Sequence, residues 1–165
     1  MSYAQSAQML LWFGARELAQ VAVPEEVTPI SPELLRLTIE GGSRTAYTVE
    51  ERAAADAGLL ALERALEDAA RLMDSHLVLR HPLPLSAEQI AQSPLPRLTG
   101  EIARRLLHRD RIPEAVQAGY QRAIAWLGDL AAGKTGIIGG AVIGAGSPAF
   151  EAHPRLFDDT TLRGF

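Results

Sequence analysis

The chain has 165 residues and no cysteine, so length points to one domain, and disulfides and thiolate metal sites are excluded. Apolar residues make up 47% and charged residues 22%, an ordinary globular balance with material for a modest core. The net charge of −4 argues against a protein that coats nucleic acid with a broad basic face; it is compatible with a wall past which DNA slides.

Tyr3 to Ala22 reads as a first helix interrupted at Gly14, with Met9, Leu10, Trp12 and Phe13 before the break and Leu18 after it. The Met9–Phe13 run is short and has no basic region before it, so it does not read as a secretory signal. Pro24, Pro29 and Pro32 make the next stretch irregular. Leu35, Leu37 and Ile39 then alternate with polar residues up to Gly41-Gly42, which predicts a small β-hairpin over about 35–48. Two strands alone are marginal, so the hairpin is expected to be an assembly element outside the subunit core.

Thr48-Val49-Glu50-Glu51 has the capping-box pattern and opens the second helix. Leu59, Leu62, Leu66, Ala69, Met73 and Leu77 form its stripe to about Leu79, where Pro82 and Pro84 follow. Ser86 caps a short turn over Ala87–Ala91, and a third helix is predicted from about Pro96 to Asp110 with Leu98, Ile102 and Leu106 on its buried face. The fourth helix is the most strongly patterned. Val116, Tyr120, Ala123, Ile124, Leu127, Leu130 and Ala131 share one face after Pro113, and Gly133-Lys134 reads as its stop.

That last helix contains a formal phosphate-loop match, Gly128, Gly133, Lys134 and Thr135. The chemistry of that motif needs a preceding strand and a following helix, so that backbone N–H groups converge on phosphate. Here a helix precedes and a glycine-rich stretch follows, so the match reads as a helix end. The histidines, His76, His81, His108 and His153, lack the three- or four-residue spacing of a helical metal pair. No metal, cofactor or catalytic set is expected, and the chain is not expected to be an enzyme.

Arg104, Arg105, His108, Arg109 and Arg111 cluster on the third helix. They fit either a DNA-recognition helix or a basic face that meets an acidic neighbour in an oligomer. The overall charge favours the second. After Lys134 the periodicity is lost, and 135–165 reads as a flexible glycine-rich arm following a helical domain at 1–134. The arm ends in Leu156, Phe157, Leu162, Arg163 and Phe165, apolar side chains without a core of their own, expected to dock on a neighbour.

Five stretches together resemble a family of small structural proteins from Mu-like bacteriophages and prophages. They are Tyr3-Ala4 with Phe13 to Leu18, Ala69 to Leu85 with its Arg80-His81-Pro82-Leu83-Pro84-Leu85 end, Leu98 to Arg111, Tyr120 to Lys134, and Leu156-Phe157 with Leu162-Arg163-Gly164-Phe165. The resemblance covers about two-thirds of the chain and excludes Pro24 to about Ala57. It implies a mainly α-helical, four-helix head–tail connector subunit, part of a neck ring, commonly twelve-fold. It further implies portal protein and a tail terminator or other neck protein as partners, with genome DNA passing through the lumen and the protein residing at the neck of the virion. On that reading the subunit-interface residues are Arg104, Arg105, Arg109, Leu156, Phe157, Leu162, Arg163 and Phe165. The rivals are a small DNA-binding module using the Arg104–Arg111 cluster and, behind it, a nucleotide-dependent enzyme using Lys134.

Overall fold

The computed structural model describes residues 2–23, 29–109 and 111–137. The expected docking segment and nearly all of the arm lie outside these residues. Among the described residues the chain is mainly α-helical and has no β-strand.

The interruption at Gly14 is real. Helix α1 (Ser6–Phe13) and helix α2 (Ala15–Val21) meet at Gly14, whose φ of 78° lies where a glycine has no Cβ to clash. Met9, Leu18 and Ala19 turn into the core.

Where the hairpin was expected stands helix α3 (Pro32–Glu40). Four local features outweigh the alternation. Pro32 occupies the first turn, where its missing N–H is harmless. Arg36 bridges Glu33 and Glu40, each at 2.6 Å, a pairing that only a helix brings together. The Thr38 hydroxyl donates to the Leu34 carbonyl at 2.8 Å. Gly41 then closes the helix at φ 70°. Leu34 and Leu35 are fully buried, so this segment belongs to the subunit core and is not a detachable assembly element.

Helix α4 (Val49–Leu77) is the longest element, about 43 Å at 1.5 Å per residue. Its box is formed: Glu51 N–H donates to Thr48 Oγ1 at 3.2 Å and Thr48 N–H to Glu51 Oε2 at 2.8 Å. Helix α5 (Ala87–Ala91) is one turn, opened by Ser86. Helix α6 (Leu95–Leu107) ends three residues before the expected Asp110, and Leu106, expected on its buried face, is exposed instead, with Thr99, Ala103 and Leu107 turned inward beside Ile102. Helix α7 (Glu114–Ala131) closes with Gly133 at φ 74°. There Gly133 N–H donates to Leu130 O at 2.9 Å and Lys134 N–H to Asp129 O at 2.8 Å, a Schellman arrangement.

The core is built on α4, which packs against α3, α6 and α7, while α6 also packs against α7. Leu62, Leu66, Met73 and Leu77 of α4 join Leu95 and Ile102 of α6 and Leu127 and Leu130 of α7 in one buried cluster. Toward the start of α4, Gly58 lets Ile30 and Leu35 sit directly on the helix backbone; a Cβ there would stand 2.5 Å from Ile30 Cδ1. At the other end Arg80 Nε donates to the Ala131 carbonyl at 2.9 Å, joining the ends of α4 and α7. No helix among the described residues is long and apolar enough to cross a membrane.

Candidate functional site

The arginine cluster divides in two. Arg104 turns inward. Its Nε and Nη2 donate to the two carboxylate oxygens of Glu17 at 2.5 and 2.8 Å, a fork matched to a carboxylate plane. Its guanidinium lies 4.6 Å from the Phe13 ring centre. Arg97, two turns earlier on α6, lies over the same ring at 4.9 Å and over Trp12 at 5.3 Å. Both arginines approach Glu101, at 2.7 Å from Arg97 and 3.9 Å from Arg104. Glu101 is buried, and Gly119 of α7 leaves it room, since a Cβ there would stand 3.0 Å from Glu101 Cδ. The network therefore fastens α1 and α2 onto α6, with α7 closing over it.

Arg105 is also engaged within the chain. Its Nε donates to Gln117 Oε1 at 3.1 Å and its Nη1 to the His108 carbonyl at 3.2 Å, tying the end of α6 to α7. The His108 ring packs beside this corner. Its Nδ1 is 3.3 Å from the Arg111 carbonyl, and its buried Nε2 is 3.7 Å from Glu17 without a hydrogen bond. Arg109 and Arg111 are exposed. Of the three arginines expected at an interface, Arg109 alone projects into solvent. The other two hold the fold together. Leu156, Phe157, Leu162, Arg163 and Phe165 lie outside the described residues.

Sequence reasoning missed Glu17, Phe13, Trp12 and Glu101 as partners of these arginines. Glu17 lies 87 positions from Arg104, and no local pattern connects them. It also missed the tie at the chain start, where the Tyr3 hydroxyl donates to the Asp74 carboxylate. Burial and the neighbouring Asp74 charge push the Tyr3 phenol well above its ordinary range.

The Gly-Lys motif has the wrong polarity for phosphate. Gly128 lies within α7, and the Gly133 and Lys134 amides are spent on α7 carbonyls. Lys134 Nζ sits 3.3 Å from Asp129. The negative end of the helix dipole faces this side chain. His76 and His81 are half-buried on separate segments, and His153 is outside the described residues. Among the described residues no group of three or more metal-ligating side chains is gathered.

Several large apolar side chains are also exposed. Val49 and Leu60 on α4, Leu106 on α6, Leu11 on α1, and Val78 and Leu79 just after α4 are large hydrophobic side chains left in solvent, Leu11 at 82% and Val49 at 67%. Val49, Ala53, Ala57 and Leu60 fall on one outward stripe of α4. Beyond Leu60 the same stripe becomes charged, with Arg71 paired to Glu67 and Asp68.

A family model described as "Bacteriophage Mu, Gp36" matches residues 3–142. No curated protein matches the chain.

Proposed function

The chain belongs to the bacteriophage Mu Gp36 family, and from that premise we propose that it is a structural subunit of the head–tail connector, a neck ring that extends the portal channel and gives the tail a surface to dock on. The observation that carries this reading is the family match over residues 3–142, which takes in the whole helical domain and so makes this a Mu-like phage protein. The mainly helical architecture supports it, as do the large apolar side chains left exposed on α4, on α6 and just after α4. Side chains of that kind on several elements suit a subunit with neighbours.

On this reading the work is geometric and not catalytic. The subunit repeats around a closed ring, twelve-fold by the resemblance. Each copy presents two different complementary faces, as a head-to-tail ring requires. Portal protein lies on one side and a tail terminator or other neck protein on the other. Genome DNA passes through without sequence-specific contacts, in keeping with a net charge of −4 and with two of the clustered arginines being occupied within the chain. The protein would reside at the neck of the virion after assembly in the host cytoplasm.

The test is a conditional knockout of the gene in its phage or prophage, followed by electron microscopy of the lysate. Filled heads and finished tails that fail to join are expected, with complementation by the wild-type chain and label located at the neck. Normally joined, infectious particles in its absence would overturn the proposal.

A further inference from the structure

We infer that the outward face of the first half of α4 receives the α6–α7 corner of a second copy of this chain. The inference rests on the ring reading for why copies meet, and it names the surfaces that meet.

The first surface is apolar at its centre and acidic at its edge. Val49, Ala53, Ala57 and Leu60 are exposed and lie at i, i+4, i+8 and i+11, one stripe of a helix. Asp56, which is paired with Arg44, and Glu63, seven residues on, run along one border of it. From Val49 to Arg64 the helix carries Glu50, Glu51, Asp56 and Glu63 against Arg52 and Arg64. Glu63 has no ion-pair partner among the described residues. Along this acidic border α4 and the chain start leave a groove of about 540 Å³, lined by Gln5, Ser6, Glu63, Leu66 and Glu67 among others.

The second surface sets two exposed guanidinium groups beside an exposed apolar side chain, with Glu114 also exposed at the start of α7. Leu106 is a large apolar side chain left 46% exposed at the end of α6. Arg109 follows three residues later and Arg111 five residues later, both exposed, with no ion pair among the described residues. Leu60 and Glu63 are also three residues apart. An apolar side chain followed by a carboxylate therefore has its counterpart in an apolar side chain followed by a guanidinium. In the proposed contact Leu106 seats against Leu60, and Arg109, just past the end of α6, faces Glu63. Such pairing sets register and partner choice as well as attraction. Two different patches on each copy make the contact head-to-tail, the kind that closes into a ring or runs on as a filament.

The absence of native cysteine makes the contact directly readable. Full-length Leu60→Cys and Leu106→Cys chains are mixed in equal amounts and treated with a short bis-maleimide. Both positions are exposed, and circular dichroism checks that each variant folds. The expected product is the mixed crosslink, in excess over either like-with-like product, with a yield that falls as salt is raised from about 0.05 to 0.5 M because the flanking charges are screened. Adding Glu63→Arg to the Leu60→Cys chain is expected to lower the yield more than tenfold. Adding Arg109→Glu to its Leu106→Cys partner is expected to restore it.

Like-with-like Leu60 crosslinks in excess would mean that α4 faces α4 and would overturn the inference. So would no crosslink above that of an Arg71→Cys control, or a mixed crosslink indifferent to both charge reversals. Because the crosslink is read on the isolated chain, its failure leaves the neck reading standing, and a chain found elsewhere in the particle leaves the crosslink standing.

Discussion

One substitution made at two places in α7 separates packing from helix propensity. Gly128 lies inside the helix with nothing within 4 Å of an added Cβ. Gly128→Ala should therefore return the ordinary helical preference for alanine, about 1 kcal/mol of added stability. Gly119→Ala earns the same propensity gain but meets the Glu101 carboxylate, with Cδ at 3.0 Å. That carboxylate cannot swing away freely, because Arg97 holds it at 2.7 Å and the site is buried. Overpacking there costs about 1–3 kcal/mol, so Gly119→Ala should range from neutral to about 2 kcal/mol destabilising. The two variants should thus differ by about 1–3 kcal/mol in urea denaturation at unchanged m. In a Glu101→Ala background the obstruction is gone, and Gly119→Ala should recover the full gain. The difference is a coupling energy between residues in contact. If Gly119→Ala stabilised the protein as much as Gly128→Ala does, the wedge of Glu101 against α7 would be refuted.

Arg104→Ala should destabilise by about 1.5–3 kcal/mol, the range for hydrogen bonds to charged groups. A double-mutant cycle with Glu17→Gln should show most of it as coupling, whereas additivity would put Arg104 back on the surface. Leu127→Ala should cost about 2–5 kcal/mol, since the side chain is fully buried; a parent-like melt would mean that the face of α7 is misplaced. Tyr3 gives a pH dependence. Its phenol pKa is raised in the fold, so its contribution is fully present below about pH 10, where the unfolded phenol begins to ionise, and is lost as pH rises through the folded value. Above pH 10 the parent should lose up to about 1.4 kcal/mol per pH unit more than Tyr3→Phe does. Parallel alkaline curves for the two would contradict the burial of that hydroxyl.

Where the signals are local, sequence reasoning reached the structure. The break at Gly14, the Thr48–Glu51 box, the stripe of α4 and the Gly133-Lys134 stop each lie within a few residues of their partners. The segment around Leu35 failed for an instructive reason. Reading every second residue admitted Leu35, Leu37 and Ile39 but left out Leu34, and Leu34 with Leu35 and Ile39 makes the helical face. The Glu33–Arg36–Glu40 spacing was the available signal for α3. The arginine cluster was visible as composition, but which members face inward depends on Glu17 and Gln117, which only the folded chain brings near. An excess of like charge on a helix says nothing about orientation until its distant partners are placed.

The length and capping of α4 also bear on the order of folding. Helices shorter than about 12–15 residues are marginal on their own, and α1, α2, α3 and α5 all fall below that range. Helix α4, at 29 residues with a closed box at its start, is the first element in chain order long enough to persist before anything docks on it. During synthesis it is complete well before α6 has been made. At roughly 5–20 residues per second, Leu62, Leu66 and Met73 wait a few seconds between the emergence of Leu77 and that of Leu107 for the surface that will cover them. Apolar surface left uncovered in that interval exposes the nascent chain to aggregation. Codons that slow translation between Leu77 and Leu95 should therefore lower the soluble yield while leaving the melting temperature of the recovered protein unchanged.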